Sequence, residues 1–311
     1  MASIVNTKGV DISYWNGDID LSKVKNAGYK WVMIRCGWGN NSTSNDDSRF
    51  SANVAKAEKL GMPWGVYLFS YACSTSDAKS ELEHIDRLLK EQKAKGYLPT
   101  LPIAIDIEPT DEVENKGGWT SSNLTNVATI ILDGLKNRGY YPIIYTGYEE
   151  LAMMSNHIRN DYDCWFAQWS SQPSAYKYNR LGMWQYGGET NYIDNPVIAG
   201  VGVIDQDISY KDYPTIIKNG GYNGWKKSDK VLDTAGYKYL DKGTGVLALK
   251  EMLLLAKRMG ITTQGMDENG TFGDGTQIAV NQVLKKGGYE QNGIAGDNFI
   301  KYLTKLIKAK L

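Results

Sequence analysis

Two carboxylates, two residues apart, close an apolar run in this chain: Leu101-Pro-Ile-Ala-Ile-Asp106-Ile-Glu108, followed by Pro109. Along a strand, residues i and i+2 point to the same face. Asp106 and Glu108 are therefore expected to stand side by side at the end of a buried strand. Burying acids is costly unless they are used or paired. Neighbouring carboxylates raise one another's pKa, and burial adds to the effect. One of the two is thus expected to keep its proton near neutral pH, which is the state a general acid needs.

Something must hold that strand end in place, and the first 217 residues alternate strand-like with helix-like patterns. The strand candidates are Lys8–Ser13, Trp31–Trp38, Pro63–Tyr71, Pro99–Glu108, Pro142–Gly147, Cys164–Ser170, Met183–Tyr186 and Gly202–Ser209. Helical segments are expected over Leu21–Ala27, Ser48–Leu60, Asp77–Lys95 and Ser121–Arg138, with Gly28, Gly61, Gly96 and Gly139 as their caps. Strands alternating with helices predict parallel pairing with right-handed crossovers. Eight of them predict an α/β fold, a (β/α)8-type barrel. Its second half lacks helices, because residues 171–182 and 187–201 read as loops. An open doubly wound sheet is the alternative, but no glycine-rich phosphate loop follows any strand.

In such a barrel the active site lies at the C-terminal ends of the strands. Asp11 ends the first candidate strand and Asp207 the eighth, and these two are neighbours when the barrel closes. The expected cleft therefore holds Asp11, Asp106, Glu108 and Asp207. Asp205, two residues before Asp207, shares its face and competes for the same place. Arg35, Tyr67, Phe69, Tyr145, Trp169 and Trp184 fall in or just past strands, as do Gln168 and Gln185. Aromatic faces stack on sugar rings, and the amides suit sugar hydroxyls. These eight are the candidate substrate-binding residues.

Composition narrows the chemistry further. The chain has 311 residues and only two histidines, with no H-E-x-x-H motif and no Cys/His cluster. No metal and no cofactor is expected. Cys36, Cys73 and Cys164 read as reduced thiols in apolar segments. His84, in a charged helical stretch, is a poor base for a cysteine nucleophile. The N-terminal residues show no signal-peptide pattern, and no apolar run is long enough to span a membrane. The chain is expected to be made in a cytoplasm, with neither nucleic acid nor membrane as partner.

After residue 217 the pattern changes. Residues 218–236 are rich in Gly, Lys, Asp and Asn and read as a linker. Residues 237–311 predict a small, mainly helical domain with an apolar face at Val246, Leu249, Leu253 and Ala256. Residues 1–234 carry 24 Lys and Arg against 28 Asp and Glu, whereas 235–311 carry 11 against 7. The basic C-terminal part favours an anionic surface.

The order of short motifs over 1–217 resembles the family 25 glycoside hydrolases, the Chalaropsis-type lysozymes. The carrying pieces are Gly9-Val-Asp11-Ile-Ser13, Trp31-Val-Met-Ile-Arg35, Gly65-Val-Tyr67-Leu-Phe69, Asp106-Ile-Glu108, Ile144-Tyr145-Thr146, Trp165-Phe-Ala-Gln168-Trp169, Trp184-Gln185-Tyr186 and Asp207-Ile-Ser. The resemblance implies hydrolysis of the β-1,4 bond between N-acetylmuramic acid and N-acetylglucosamine in peptidoglycan. It makes Glu108 the general acid and Asp106 its helper. Chitinases carry D-x-x-D-x-D-x-E on the same strand, but Leu101 and Ala104 replace the two leading acids here. The segment Asn269-Gly-Thr-Phe272-Gly273-Asp-Gly-Thr276 resembles a three-helix peptidoglycan-binding domain. Together the two parts resemble a bacteriophage endolysin. A bacterial autolysin and a non-catalytic wall-binding protein are the alternatives. A homo-oligomer through the C-terminal domain is a further expectation, since two wall-binding modules would gain avidity.

Overall fold

The computed structural model describes residues 3–174, 180–226 and 232–311. The chain divides into two compact units, Met1–Ile217 with Tyr222–Trp225, and Lys218–Gly221 with Lys226–Leu311. In the first unit, chain order runs β1 (Thr7–Ile12), β2 (Val32–Trp38), β3 (Trp64–Phe69), β4 (Ile103–Ile107), β5 (Pro142–Thr146), β6 (Asp163–Ala167), β7 (Leu181–Gly187), β8 (Val197–Ile198), β9 (Gly202–Val203) and β10 (Asp205–Ser209). Eight of these close into a barrel in the order β1-β10-β7-β6-β5-β4-β3-β2, while β8 and β9 form a separate ribbon.

The first half carries its crossover helices: α1 (Leu21–Asn26), α2 (Phe50–Leu60), α3 (Thr75–Ala94) and, after the short α4 (Asp111–Asn115), α5 (Ser121–Asn137). Local signals set their ends. Ser74 and Asp77 form a capping box on α3, Thr120 and Asn123 one on α5, and Gly61 closes α2 at φ 59°. Among the described residues, the second half has only the short α6 (Tyr148–Met153) and α7 (Asn156–Asp161), then α8 (Tyr213–Gly220) after the last strand.

One expectation fails here. β10 is antiparallel to both neighbours, β1 and β7, while the other barrel pairs are parallel. A parallel return needs a crossover of a dozen or more residues, usually a helix. Between β7 and β10 the chain forms only the β8–β9 ribbon. It therefore enters β10 from the end where β7 finished.

Side-chain parity on β4 separates structure from chemistry. Ile103, Ile105 and Ile107 point outward into the layer packed against the helices, each contributing about 1.5–3 kcal/mol of burial. Ala104 points inward and joins Trp31, Met33, Tyr67, Tyr145, Trp165 and Met183 in the barrel interior. Asp106 shares that inward parity. Gly9 makes room at the base, since a Cβ there would meet the Trp31 ring at 2.1 Å.

The linker expected from residue 218 begins later. Helix α8 runs to Gly220, and 222–225 seal the barrel floor. Asn223 donates to Leu101 O at 3.0 Å and accepts from Tyr141 N at 2.9 Å, and Trp225 Nε1 donates to Pro99 O at 3.0 Å. Residues 227–231 of the expected linker lie outside the described residues.

The second unit holds three helices, α9 (Thr244–Arg258), α10 (Asp274–Lys286) and α11 (Asp297–Lys308). Val246, Leu249, Leu253 and Ala256 pack with Phe272, Val280, Val283, Phe299 and Leu303. The turn at 267–271 wraps the buried Lys250 ammonium. Lys250 Nζ donates to Asn269 O at 2.8 Å and Thr271 O at 2.7 Å, and it pairs with Asp267.

Candidate active site

A cavity of about 330 Å³ opens at the C-terminal ends of the parallel strands. Its walls include Asp11 from β1, Arg35 from β2, Tyr67 and Phe69 from β3, Asp106 and Glu108 from the end of β4, Tyr145 from β5 and Gln185 from β7. Asp205, at the start of β10, completes the acids. Trp15, 75% exposed, stands on the rim.

Asp205 takes the place expected for Asp207. In an antiparallel strand the N-terminal residue reaches the open end, and Asp205 pairs with Asp11 in register. Asp207 lies one inward step deeper, opposite Gly9, and is fully buried. It accepts from Trp165 Nε1 at 2.8 Å. The signal available in the sequence was the Gly/Asn/Pro-rich stretch before residue 202. It is too poor in helix formers for a crossover, so the last strand had to reverse.

Three other expected residues do not line the cleft. Trp184 sits on the outward parity of β7, buried against the helical layer, and its Nε1 donates to Gln168 O at 2.8 Å. The Gln168 side chain turns to accept from Ser174 N at 2.6 Å. Trp169 is not among the residues lining the cavity, but its Nε1 donates to Gln185 Oε1 at 3.1 Å. Sequence reading also passed over Ser13, Asn16 and Trp165 as cleft residues. Inward parity on β6, between the outward Cys164 and Phe166, would have found Trp165.

A hydrogen-bond chain ties the acids together. Gln185 Nε2 donates to Asp11 Oδ2 at 2.8 Å, and Gln185 Oε1 accepts from Tyr145 OH at 2.9 Å. The Tyr145 hydroxyl also lies within hydrogen-bonding reach of Glu108, so its one proton can turn to either acceptor. Arg35 is held from behind: its Nε donates to Asp47 at 2.9 Å, and its guanidinium lies over Tyr14 and Trp38, 4.8 and 5.3 Å from the ring centres. Asp47 also accepts from Tyr14 N, so one buried acid fixes both the rim loop and the cation.

The acids are held above the usual carboxylate range. Burial raises Asp106 most, followed by the charges of Glu108 and Asp11, with Arg35 opposing. Burial also raises Glu108, against the Tyr145 hydrogen bond. Asp11 is raised by burial and then by Asp205. Asp205 is pushed up to about 6 by burial and the charge of Glu108. The Oδ1 of Asp106 is buried without a hydrogen-bond partner among the described residues. The Asp106 residue itself lines the cavity, where a carboxyl group suits an N–H of a ligand. The glycine after β7 protects the arrangement, since a Cβ on Gly188 would meet Asp205 Oδ1 at 2.1 Å.

Residues 10–194 match the family model of the glycosyl hydrolases family 25, more than half of the chain. The chain belongs to that family. Lysozyme M1 of Streptomyces globisporus is 38% identical over 69 residues, a stretch covering 22% of this chain and 22% of that one. The chain thus matches less than a quarter of that curated relative's length. Among solved structures, a family 25 glycosyl hydrolase from Bacillus anthracis covers 72% of this chain and 96% of its own, at 20% identity and a TM-score of 0.55. The CTP1L endolysin covers 97% of this chain and 99% of its own, at 16% identity and a TM-score of 0.56. At these identities the two structures speak for the fold. The family 25 barrel of this chain places the Asp106–Glu108 pair at the mouth, with Asp11 and Asp205 facing it.

Proposed function

We propose that this family 25 chain is an endolysin-type muramidase, hydrolysing the β-1,4 bond between N-acetylmuramic acid and N-acetylglucosamine in bacterial peptidoglycan. The observation that carries the reading is a largely buried acid, Glu108, raised in pKa beside three further acids in an aromatic-walled cleft. A carboxyl held above its usual range by burial fits a general acid that protonates a glycosidic oxygen. Glu108 protonates the leaving oxygen as positive charge develops at the anomeric carbon. The Asp106 carboxyl, which lines the cavity, accepts the acetamido N–H of the sugar at the reacting bond, orienting that group. Asp11 and Asp205, on the facing strands, stabilise the developing positive charge. Trp15 and Phe69 supply ring faces for the glycan, and Gln185 and Arg35 its polar contacts.

Residues 237–311 are the wall-binding part in this reading, and their excess of Lys and Arg over acids suits an anionic wall polymer. The test is the loss of turbidity of a Gram-positive cell suspension, followed by mass analysis of the released glycans. New muramic acid reducing ends are expected. Glucosamine reducing ends would make the chain a glucosaminidase. The E108Q variant should lose roughly a thousandfold or more in rate, within the range of general-acid catalysis, while keeping its thermal unfolding profile.

A further inference from the structure

Asp207 is a fully buried carboxyl group that the cleft chemistry does not use. Its Oδ1 accepts from Trp165 Nε1 at 2.8 Å, and its Oδ2 has no conventional donor among the described residues. No Lys, Arg or His lies in ion-pair contact with it among those residues. The group it does meet is another acid, Asp11, one inward step above it on the neighbouring strand β1, and the two carboxyls lie within hydrogen-bonding reach. Two carboxylates cannot share a hydrogen bond without a proton between them. Asp11 reaches the cavity and accepts a bond from Gln185 Nε2, which favours its charged form. Asp207 is the deeper of the two. The proton therefore resides below.

We propose that Asp207 is a positioning residue, whose carboxylic acid donates a hydrogen bond upward to Asp11 and fixes that carboxylate in the cleft. Asp11 is then braced on two sides, by Asp207 from beneath and by Gln185 from the side. Through Gln185 and Tyr145 the brace continues to Glu108. The other titratable groups around the pair are Asp205 on the same strand as Asp207, Asp106, Glu108, Tyr67 and Tyr145 across the cleft, and Tyr29 and Tyr186 on the outer side. All of these are acids or phenols, and the cation on the cavity wall, Arg35, is paired with Asp47. Burial and the Asp11 charge both hold the Asp207 proton on.

The kinetic arm of the test rests on the muramidase reading; the spectroscopic arm does not. Infrared difference spectra of the full chain, wild type against D207N, should show a carboxylic-acid C=O band at pH 7 that D207N lacks. Absence of that band in the wild type would overturn the proposal, whatever the enzyme cleaves. For kinetics, D207N and D207L are compared on peptidoglycan fragments across pH. The asparagine amide still donates to Asp11 and accepts from Trp165, so D207N should keep kcat within a few-fold. Leucine offers no donor. D207L should lose roughly ten- to hundredfold in kcat with KM little changed, and its acidic limb should move to higher pH as Asp11 loses a bond to its charged form. Equal loss in D207N and D207L, with both folded by circular dichroism, would show that a carboxylate is required and would overturn the proposal. A D207L enzyme with wild-type kcat and pH profile would overturn it as well. If D207L does not fold, D207N and the infrared band still decide.

Discussion

Asp205 stands opposite Asp11 across the antiparallel β1–β10 pair, and the repulsion between these two acids is a built-in feature of the cleft. The arrangement has a cost in stability that depends on pH. Asp205 is raised to about 6 in the folded chain, against about 3.9 when unfolded. Below the unfolded pKa both states are protonated. As pH rises from about 4 to about 6 the unfolded state loses its proton first, so the folded state is progressively disfavoured. D205N removes this cost. It should raise thermal stability at pH 7–8 by an amount on the order of 1 kcal/mol after allowing for solvent screening, with little gain at pH 4. Calorimetry at the two pH values checks this, and an equal gain at both would contradict the assigned cause.

Tyr145 lowers the pKa of Glu108 by hydrogen bonding its charged form. Y145F should therefore raise the Glu108 pKa. A general acid must be protonated, so the basic limb of the rate profile should shift to higher pH, together with a lower kcat from the lost Gln185 contact. A shift of that limb to lower pH would assign the limb to another group.

Trp184 and Gln185 are adjacent but belong to different layers. W184A removes a buried ring from the helical layer and should destabilise the barrel by about 3–5 kcal/mol, with the surviving folded enzyme close to normal in KM. Q185A should leave the melting temperature nearly unchanged and lower kcat, because it unties Asp11, Tyr145 and Trp169. Measuring melting and kinetics on both variants tests the parity of β7.

Lys250 organises the turn of the C-terminal unit. Its ammonium satisfies the Asn269 carbonyl and shares the Thr271 carbonyl with Gly273 N. K250M should destabilise that unit by about 2–3 kcal/mol. The loss should appear in the unfolding of the C-terminal unit, while cleavage of soluble glycan fragments stays at the wild-type rate. No change in stability would mean that water replaces the ammonium without penalty.

Much of the site was legible because strand periodicity is strict. The i, i+2 relation placed Asp106 and Glu108 on one face, and the barrel rule brought Asp11, Arg35, Tyr67, Phe69, Tyr145 and Gln185 to the same mouth. These placements need only the alternation of side chains and the direction of parallel strands. Trp184 and Gln168 were harder, because an aromatic or amide near a strand end has no sign telling inward from outward until its neighbours are placed.

The sequence by itself determined the barrel, its helix caps and the acid pair on the fourth strand, since these rest on local periodicity and turn chemistry. Only the tertiary structure decided which acid of Asp205 and Asp207 enters the cleft. That choice depends on the direction in which the last strand joins β1 and β7. The direction in turn follows from a connection without a crossover helix, which returns the chain at the open end. Asp205 thereby faces Asp11 from the open end of the barrel, and Asp207 is left beneath it.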